Sequence, residues 1–292
     1  MTVPVALEVV RAGPLALIED LGRPGQAGIG VGRSGAADRG AFALGNRLVG
    51  NRETAAAVEI TLGGFEAVAR GGDLWFALTG APAPVTMGGR QGAPRTLERL
   101  RDGQSLCLGT PAYGLRSYLA VRGGLDAAAV LGSRSTDVLS GLGPAPLSVG
   151  DTIYIGTDAA DFPPIDHAPA PGRGDATVVL RVVRGPRDDW VEDVDALVRT
   201  SWTISDRSNR IGMRLDGGSL PPATARADQQ LPSEGAYRGA VQVPPGGEPV
   251  VFLADHPVTG GYPVVAVVID ADVDVAAQAR PGEEVGFRWV RP

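Results

Sequence analysis

The sequence predicts a mainly β protein, built in two lobes with a few short helices. Three observations carry that expectation. Among 292 residues, 42 are Gly and 24 are Pro, a density of chain-turning residues that favours short strands over long helices. Segments such as AAVEITL, DLWFALTG, RSYLAV, TVVLRVV, PVVFLAD and EVGFRWV recur between turn residues, and their β-branched and aromatic alternation is that of half-buried strands. One long stretch, Asp158 to Asp175 (DAADFPPIDHAPAPGRGD), has no period at all. It reads as a linker at 158–175 between an N-terminal β-rich lobe, 1–157, and a C-terminal β-barrel lobe, 176–292.

The elements follow in order. In MTVPVALEVV, Val3, Val5, Leu7 and Val9 alternate as a half-buried strand, and the stretch lacks the basic start and cleavage site of a signal peptide. GIGVGRSG then spells G-x-G-x-x-G at Gly30, Gly32 and Gly35. Dinucleotide binding needs a strand delivering that loop; here EDLGRPGQAGIG precedes it, which is turn chemistry, so this reading is set aside. SGAADRGAFALGNRLVG predicts a helix capped by Ser34 or Asp38, with Phe42, Leu44 and Leu48 toward the core. DGQSLCLG, VGDTIYIG and PGEEVGFRW each start a strand from a Gly-polar turn, the pattern of hairpin edges in barrels or sandwiches. PRDDWVEDVDALVRT predicts a second helix, with Pro186 in its first turn and Trp190, Val194, Leu197 and Val198 on one face.

Composition excludes several functions. A net charge of −6 and a pI near 5.1 provide no positive field for nucleic acid. The longest strongly apolar run, Pro263 to Ile269, is far below the roughly 20 residues of a membrane helix, so a cytoplasmic protein without a membrane partner is expected. Cys107 is the single Cys and His167 and His256 the only His, which excludes an internal disulfide and a Cys/His zinc cluster; no metal site is evident. Cys107 reads as a core filler. Every cation is Arg, a planar fork suited to carboxylate and phosphate.

Candidate site residues sit where polar groups meet turns. Arg134 in GSRST, and Arg207, Arg210 and Arg214 in SDRSNRIGMRLDG, either clamp an anionic ligand or pair internally, for instance with Asp206 or Asp216. GAVQVPPGGEPVVFLADHPVTGGYP places Gln242, Asp255, His256, Thr259 and Tyr262 at the ends of buried strands, where they either orient a small amide substrate or cap loops. Glu59 and Glu234 are carboxylates in charge-poor segments, suited to proton transfer if burial raises their pKa. Asp255, Glu234 and Tyr262 are the catalytic candidates. Arg134, Arg207, Arg210, Arg214, Asp38, Gln242 and Thr259 are the substrate-binding candidates. Arg207, Arg210, Asp255 and Tyr262 are expected to line one cleft, with Arg134 and Asp38 reaching it.

Three blocks, LIEDLGRPGQAGIGVGRSGAADRGAFALGNRLVGN, LGSRST, and ISDRSNRIGMRLDG followed by PSEGAYRGAVQVPPGGEPVVFLADHPVTGGYPVVAVV, together resemble the family of the 5-oxoprolinase C-subunit, also described as allophanate hydrolase subunit 2-like or biotin-dependent carboxylase-like. The departures are small: Glu19 stands where Gln is common before DLGR, and Val258 where Thr is common before TGGYP. The resemblance implies cyclophilin-like β-barrel architecture and a partner of related fold, the B-subunit, with the A-subunit as a third component. It further implies an assembly that opens 5-oxo-L-proline to L-glutamate using ATP. This chain has no G-x-x-x-x-G-K-[ST] loop, which puts the ATP site on a partner or shared with one. Two other readings stay open: a non-catalytic regulatory module that binds that partner, and a urea carboxylase or allophanate hydrolase-related amide-processing component.

Overall fold

The computed structural model describes residues 4–169, 177–226 and 229–291. They form two compact units, one built from residues 4–23, 38–137 and 141–169, the other from 24–37, 138–140, 177–226 and 229–291. The single crossing expected at 158–175 is thus joined by two earlier excursions, and residues 158–169 group with the first unit. Residues 170–175 of the expected linker, and Val3 of the first strand, lie outside the described residues.

The first unit holds β1 (Ala6–Ala12), β2 (Leu15–Glu19), α1 (Arg39–Leu48), β3 (Ala57–Thr61), β4 (Phe65–Arg70), β5 (Leu74–Gly80), β6 (Val85–Met87), β7 (Arg90–Gly92), β8 (Glu98–Leu100), β9 (Ser105–Leu108), β10 (Arg116–Val121) and β11 (Thr152–Tyr154). Two sheets result, β11-β1-β4-β9-β6-β7 and β2-β3-β10-β5-β8. Leu7, Phe65 and Leu106 of one and Ile18, Ile60, Phe76 and Leu119 of the other share one apolar core. In β4, alternate residues are buried, as a sheet with one wet face requires. All six residues of β10 are buried, because α1 packs on that sheet. Phe42 meets Tyr118 edge to face at 6.1 Å, and Gly45 eases the close approach, since a Cβ there would stand 3.0 Å from Thr79 Oγ1 and 3.2 Å from the Ala120 Cβ. Asp38, not Ser34, caps α1, accepting from the Ala41 N–H at 2.8 Å.

The second unit holds β12 (Val178–Arg184), α2 (Ala196–Arg199), β13 (Trp202–Ile204), β14 (Gly212–Asp216), β15 (Glu234–Gly235), β16 (Ala240–Gln242), β17 (Val250–Phe252), β18 (Thr259–Gly260), β19 (Val264–Val268), α3 (Asp270–Ala276) and β20 (Glu284–Trp289). Seven of the strands close a barrel in the order β12-β19-β16-β17-β14-β13-β20, and β15 pairs with β18 apart from it. Leu180, Val182, Trp202, Leu215, Val241, Val265 and Phe287 fill its core. The expected helix over PRDDWVEDVDALVRT is broken into a single 3-10 turn, Asp188–Trp190, and the one-turn α2. The cause is local: the Asp193 carboxylate accepts from the Asp195 N–H at 3.0 Å, the turn that Asp offers in competition with a helix. Strand β19 ends at Val268. Two acids in the first turn favour α3, and Val273 and Ala276 bury one face of it.

Because β12, β16 and β14 each alternate with antiparallel neighbours, they run in the same direction. The barrel therefore has one end where those three strands start, near Arg210 and Asp255, and another where they finish, near Val243 and Tyr262. None of the described helices is long and apolar enough to cross a membrane.

Candidate functional site

In the first unit, β2 delivers Asp20 into the loop after β10. Asp20 Oδ1 accepts from the Gly22 N–H at 2.7 Å and from the hydroxyls of Ser133 and Ser135 at 2.6 Å each. Its Oδ2 accepts from the Arg134 N–H at 2.7 Å. All of these donors are neutral. Arg23, 1% exposed, braces the same loop by donating from Nε to Val130 O at 3.4 Å and from Nη2 to Ser135 O; its Nη1 is buried with no hydrogen-bond partner among the described residues. Both serines of GSRST are thus turned onto Asp20. The Arg134 side chain between them is 42% exposed, with Nη2 4.0 Å from an exposed Asp126 carboxylate and a buried Nε that has no hydrogen-bond partner among the described residues. An exposed pair at that distance is weak, so the Arg134 fork keeps donors for a carboxylate.

Asp38 serves as the α1 cap, and its own N–H donates to Tyr118 Oη at 2.8 Å. Tyr118 in turn donates to Glu59 Oε2 at 2.8 Å, while Arg116 Nε stands 3.4 Å from Glu59 Oε1. Burial first, then the Glu59 and Asp38 charges, pushes the Tyr118 phenol well above its ordinary value. Glu59 is held in this buried network.

In the second unit, Asp255 and Arg210 meet. Arg210 Nε donates to Asp255 Oδ2 at 2.9 Å and Nη2 to Oδ1 at 3.1 Å, with side chains 2% and 0% exposed. The same carboxylate accepts from Ser34 Oγ at 2.7 Å and from the Val138 N–H at 3.2 Å, and Arg210 Nη2 also donates to Gly35 O at 2.7 Å. Ser34 stands at φ 54°, a left-handed conformation uncommon outside Gly. The centre fastens residues 34–35 and 138 to the barrel.

The other candidates separate. Arg207 lies on the surface, donating to Asp216 at 2.8 Å and Glu248 at 3.4 Å, and Arg214 is exposed on β14. Glu234 forks onto Arg187, whose hydrogen bonds hold its carboxyl below the usual range, the opposite of a general acid. Thr259 is exposed on β18. His256 stacks on Phe252 with ring centroids 5.9 Å apart. Gln242, buried at the end of β16, donates to Tyr262 O at 2.9 Å. Tyr262, 46% exposed, lines a cavity of about 450 Å³ with Trp190 and Val243, at the barrel end opposite Arg210 and Asp255. Sequence reasoning missed Asp20, Arg23, Ser133 and Ser135; the signal available was two serines flanking one arginine in GSRST, with EDLGR as the complementary block.

Residues 29–289 match the family described as carboxyltransferase domain, subdomain A and B. The chain is 37% identical to the 5-oxoprolinase C-subunit of Escherichia coli over 286 residues, covering 96% of this chain and 90% of that protein. It is 31% identical to the urea amidolyase of Lachancea kluyveri, covering 97% of this chain but 17% of that protein. Among solved structures, the K. lactis urea amidolyase superposes with a TM-score of 0.89 at 29% identity, covering 99% of this chain and 19% of the other. The crystal structure of TTHA0988 superposes with a TM-score of 0.85 at 34% identity, and the chain spans about half of it, 56%.

Proposed function

Because the chain belongs to the carboxyltransferase-domain family of subdomains A and B, we propose that it is one component of an ATP-dependent 5-oxoprolinase, opening 5-oxo-L-proline to L-glutamate with a B-subunit-like partner and an A-subunit homologue. The observation that carries this reading is the end-to-end similarity to the 5-oxoprolinase C-subunit, which spans 90% of that relative against 17% of the urea amidolyase. In this reading the barrel is cyclophilin-like and the assembly works in the cytoplasm.

Opening a resonance-stabilised lactam needs its oxygen activated, which is the chemistry ATP supplies when bound. The described residues do not fit a preformed triphosphate cradle. Arg207 and Arg210 are engaged by carboxylates of the chain itself, and no phosphate-binding loop of the G-x-x-x-x-G-K-[ST] type is present. No step is therefore assigned to ATP in this chain, and its site is placed on a partner or shared with one.

What this chain contributes is substrate positioning. Arg134 holds the 5-oxoproline carboxylate through its guanidinium fork, and Asp20 fixes the loop that presents it. Proton transfer is assigned to the partner, since Asp255 and Glu234 are both committed to arginines of this chain in internal pairs. The test is reconstitution with homologues of the A- and B-subunits and measurement of ADP release. Release that depends on 5-oxoproline and on all three chains is expected. Turnover by this chain alone, or turnover of urea and not of 5-oxoproline, overturns the reading.

A further inference from the structure

We propose that the cavity at the barrel end formed after β12, β16 and β14 binds the uncharged planar ring of a heteroaromatic compound. This is independent of where 5-oxoproline binds. Its volume, about 450 Å³, lies in the range of roughly 300–1,000 Å³ found for small-molecule sites, and it is far larger than a single five-membered lactam fills.

The walls select a flat apolar body. Trp190 and Tyr262 present rings, and Pro222, Pro244, Pro245 and Pro263 add surfaces that carry no N–H. The wall from Gln242 to Gly247 and from Tyr262 to Pro263 is held by hydrogen bonds of its own. Val243 N–H donates to Pro263 O at 3.0 Å, and Gly247 N–H to Pro244 O at 2.8 Å. Gln242 holds the Tyr262 carbonyl. A wall fixed in this way loses little entropy on binding.

Among the described residues, the lining offers an ionised ligand no open charge partner. Among the described residues no carboxylate lines the cavity, and the one cation there, Arg226, is already committed. Arg226 Nη2 donates to Asp189 at 2.7 Å and Nη1 to Gln229 Oε1 at 2.9 Å, and the guanidinium lies over Trp190 at 5.2 Å from the ring centroid. An ionised group entering this apolar space would lose water without gaining an open counter-charge. Edge recognition falls to the Tyr262 hydroxyl and the Gln230 amide, both on exposed residues of the lining. A neutral ring with hydrogen-bonding edges satisfies every wall.

The experiment uses the full chain with adenosine as the neutral heteroaromatic probe, and with 5-oxoproline and a polyproline peptide as alternative occupants. Saturation-transfer NMR and calorimetry read binding. Adenosine is expected to bind, and Tyr262→Ala to weaken it at least tenfold through the lost ring contact. Tyr262→Phe keeps the ring and loses one hydrogen bond, so a weakening of about three- to tenfold is expected. Gly261→Leu fills the cavity and abolishes binding without unfolding the protein, because a Cβ at Gly261 meets only Leu231 O at 3.7 Å; an unchanged Tm verifies that. Adenosine failing to saturate by about 10 mM, an affinity unchanged in Tyr262→Ala and Gly261→Leu, or binding of only 5-oxoproline or the peptide would each overturn the proposal.

Discussion

Asp20 and Asp255 are both buried carboxylates that gather remote loops, yet they leave their arginines in opposite states. Asp20 is satisfied by two hydroxyls and two backbone N–H groups, so Arg134 beside it stays half in solvent. Asp255 takes two bonds from Arg210 itself, which is 2% exposed, beside those from the Ser34 hydroxyl and the Val138 N–H. The lesson is that neutral donors around an acid leave the neighbouring cation partly exposed, whereas an ion pair commits it to the fold. The two arginines look alike in sequence and differ in what remains of their hydrogen-bonding capacity.

The largest expected effect breaks the ion-paired centre. Asp255→Ala leaves Arg210 buried without its charge partner, and a loss of about 3–5 kcal/mol is expected from equilibrium denaturation. Combining it with Arg210→Met should recover part of that loss, since the uncompensated charge is removed; a double variant no more stable than Asp255→Ala would show that the charge is not the cause.

Asp20→Asn comes next. The amide keeps one acceptor oxygen and cannot accept all four bonds, so a loss of about 1–3 kcal/mol is expected, with faster hydrogen exchange confined to the loop around Ser133 and Ser135. Uniform exchange across the first unit would contradict that local role.

A third carboxylate tests the ionic side of the comparison through pH. Hydrogen bonds from Arg181 hold Asp272 below its ordinary value. A depressed folded pKa contributes stability that is present above the unfolded value, about 4, and is lost as pH falls through the folded one. The stability difference between wild type and Asp272→Asn should therefore be full at neutral pH and shrink progressively below about pH 4. A difference independent of pH would assign it to packing. Arg207→Ala, at the small end, should leave Tm unchanged, because its partners are exposed.

Much of the fold was legible because strands carry their own period. Val285 and Phe287 alternate with exposed or half-exposed neighbours in β20, and EVGFRWV shows it directly. The break in the helix over 186–200 was not legible, because Trp190, Val194, Leu197 and Val198 fit a helix face by spacing while Asp193 turns the backbone by hydrogen bonding. The site was legible in residue type alone. Arg134 and Asp255 stood out in the sequence, but the bonds that decide their roles join Asp20 to Ser135 and Ser34 to Asp255, 115 and 221 residues apart, and no local period reports such pairings.

The most direct test of the contrast replaces each arginine by lysine, which keeps the charge and removes the fork. Both variants are compared in the reconstituted assembly for Tm and for KM toward 5-oxoproline. Arg134→Lys is expected to keep its Tm and raise KM about 10- to 100-fold, as loss of charge-assisted hydrogen bonds implies; Arg210→Lys is expected to lower Tm first. An Arg134→Lys variant with unchanged KM, or an Arg210→Lys variant that keeps its Tm and loses only substrate affinity, would contradict the account.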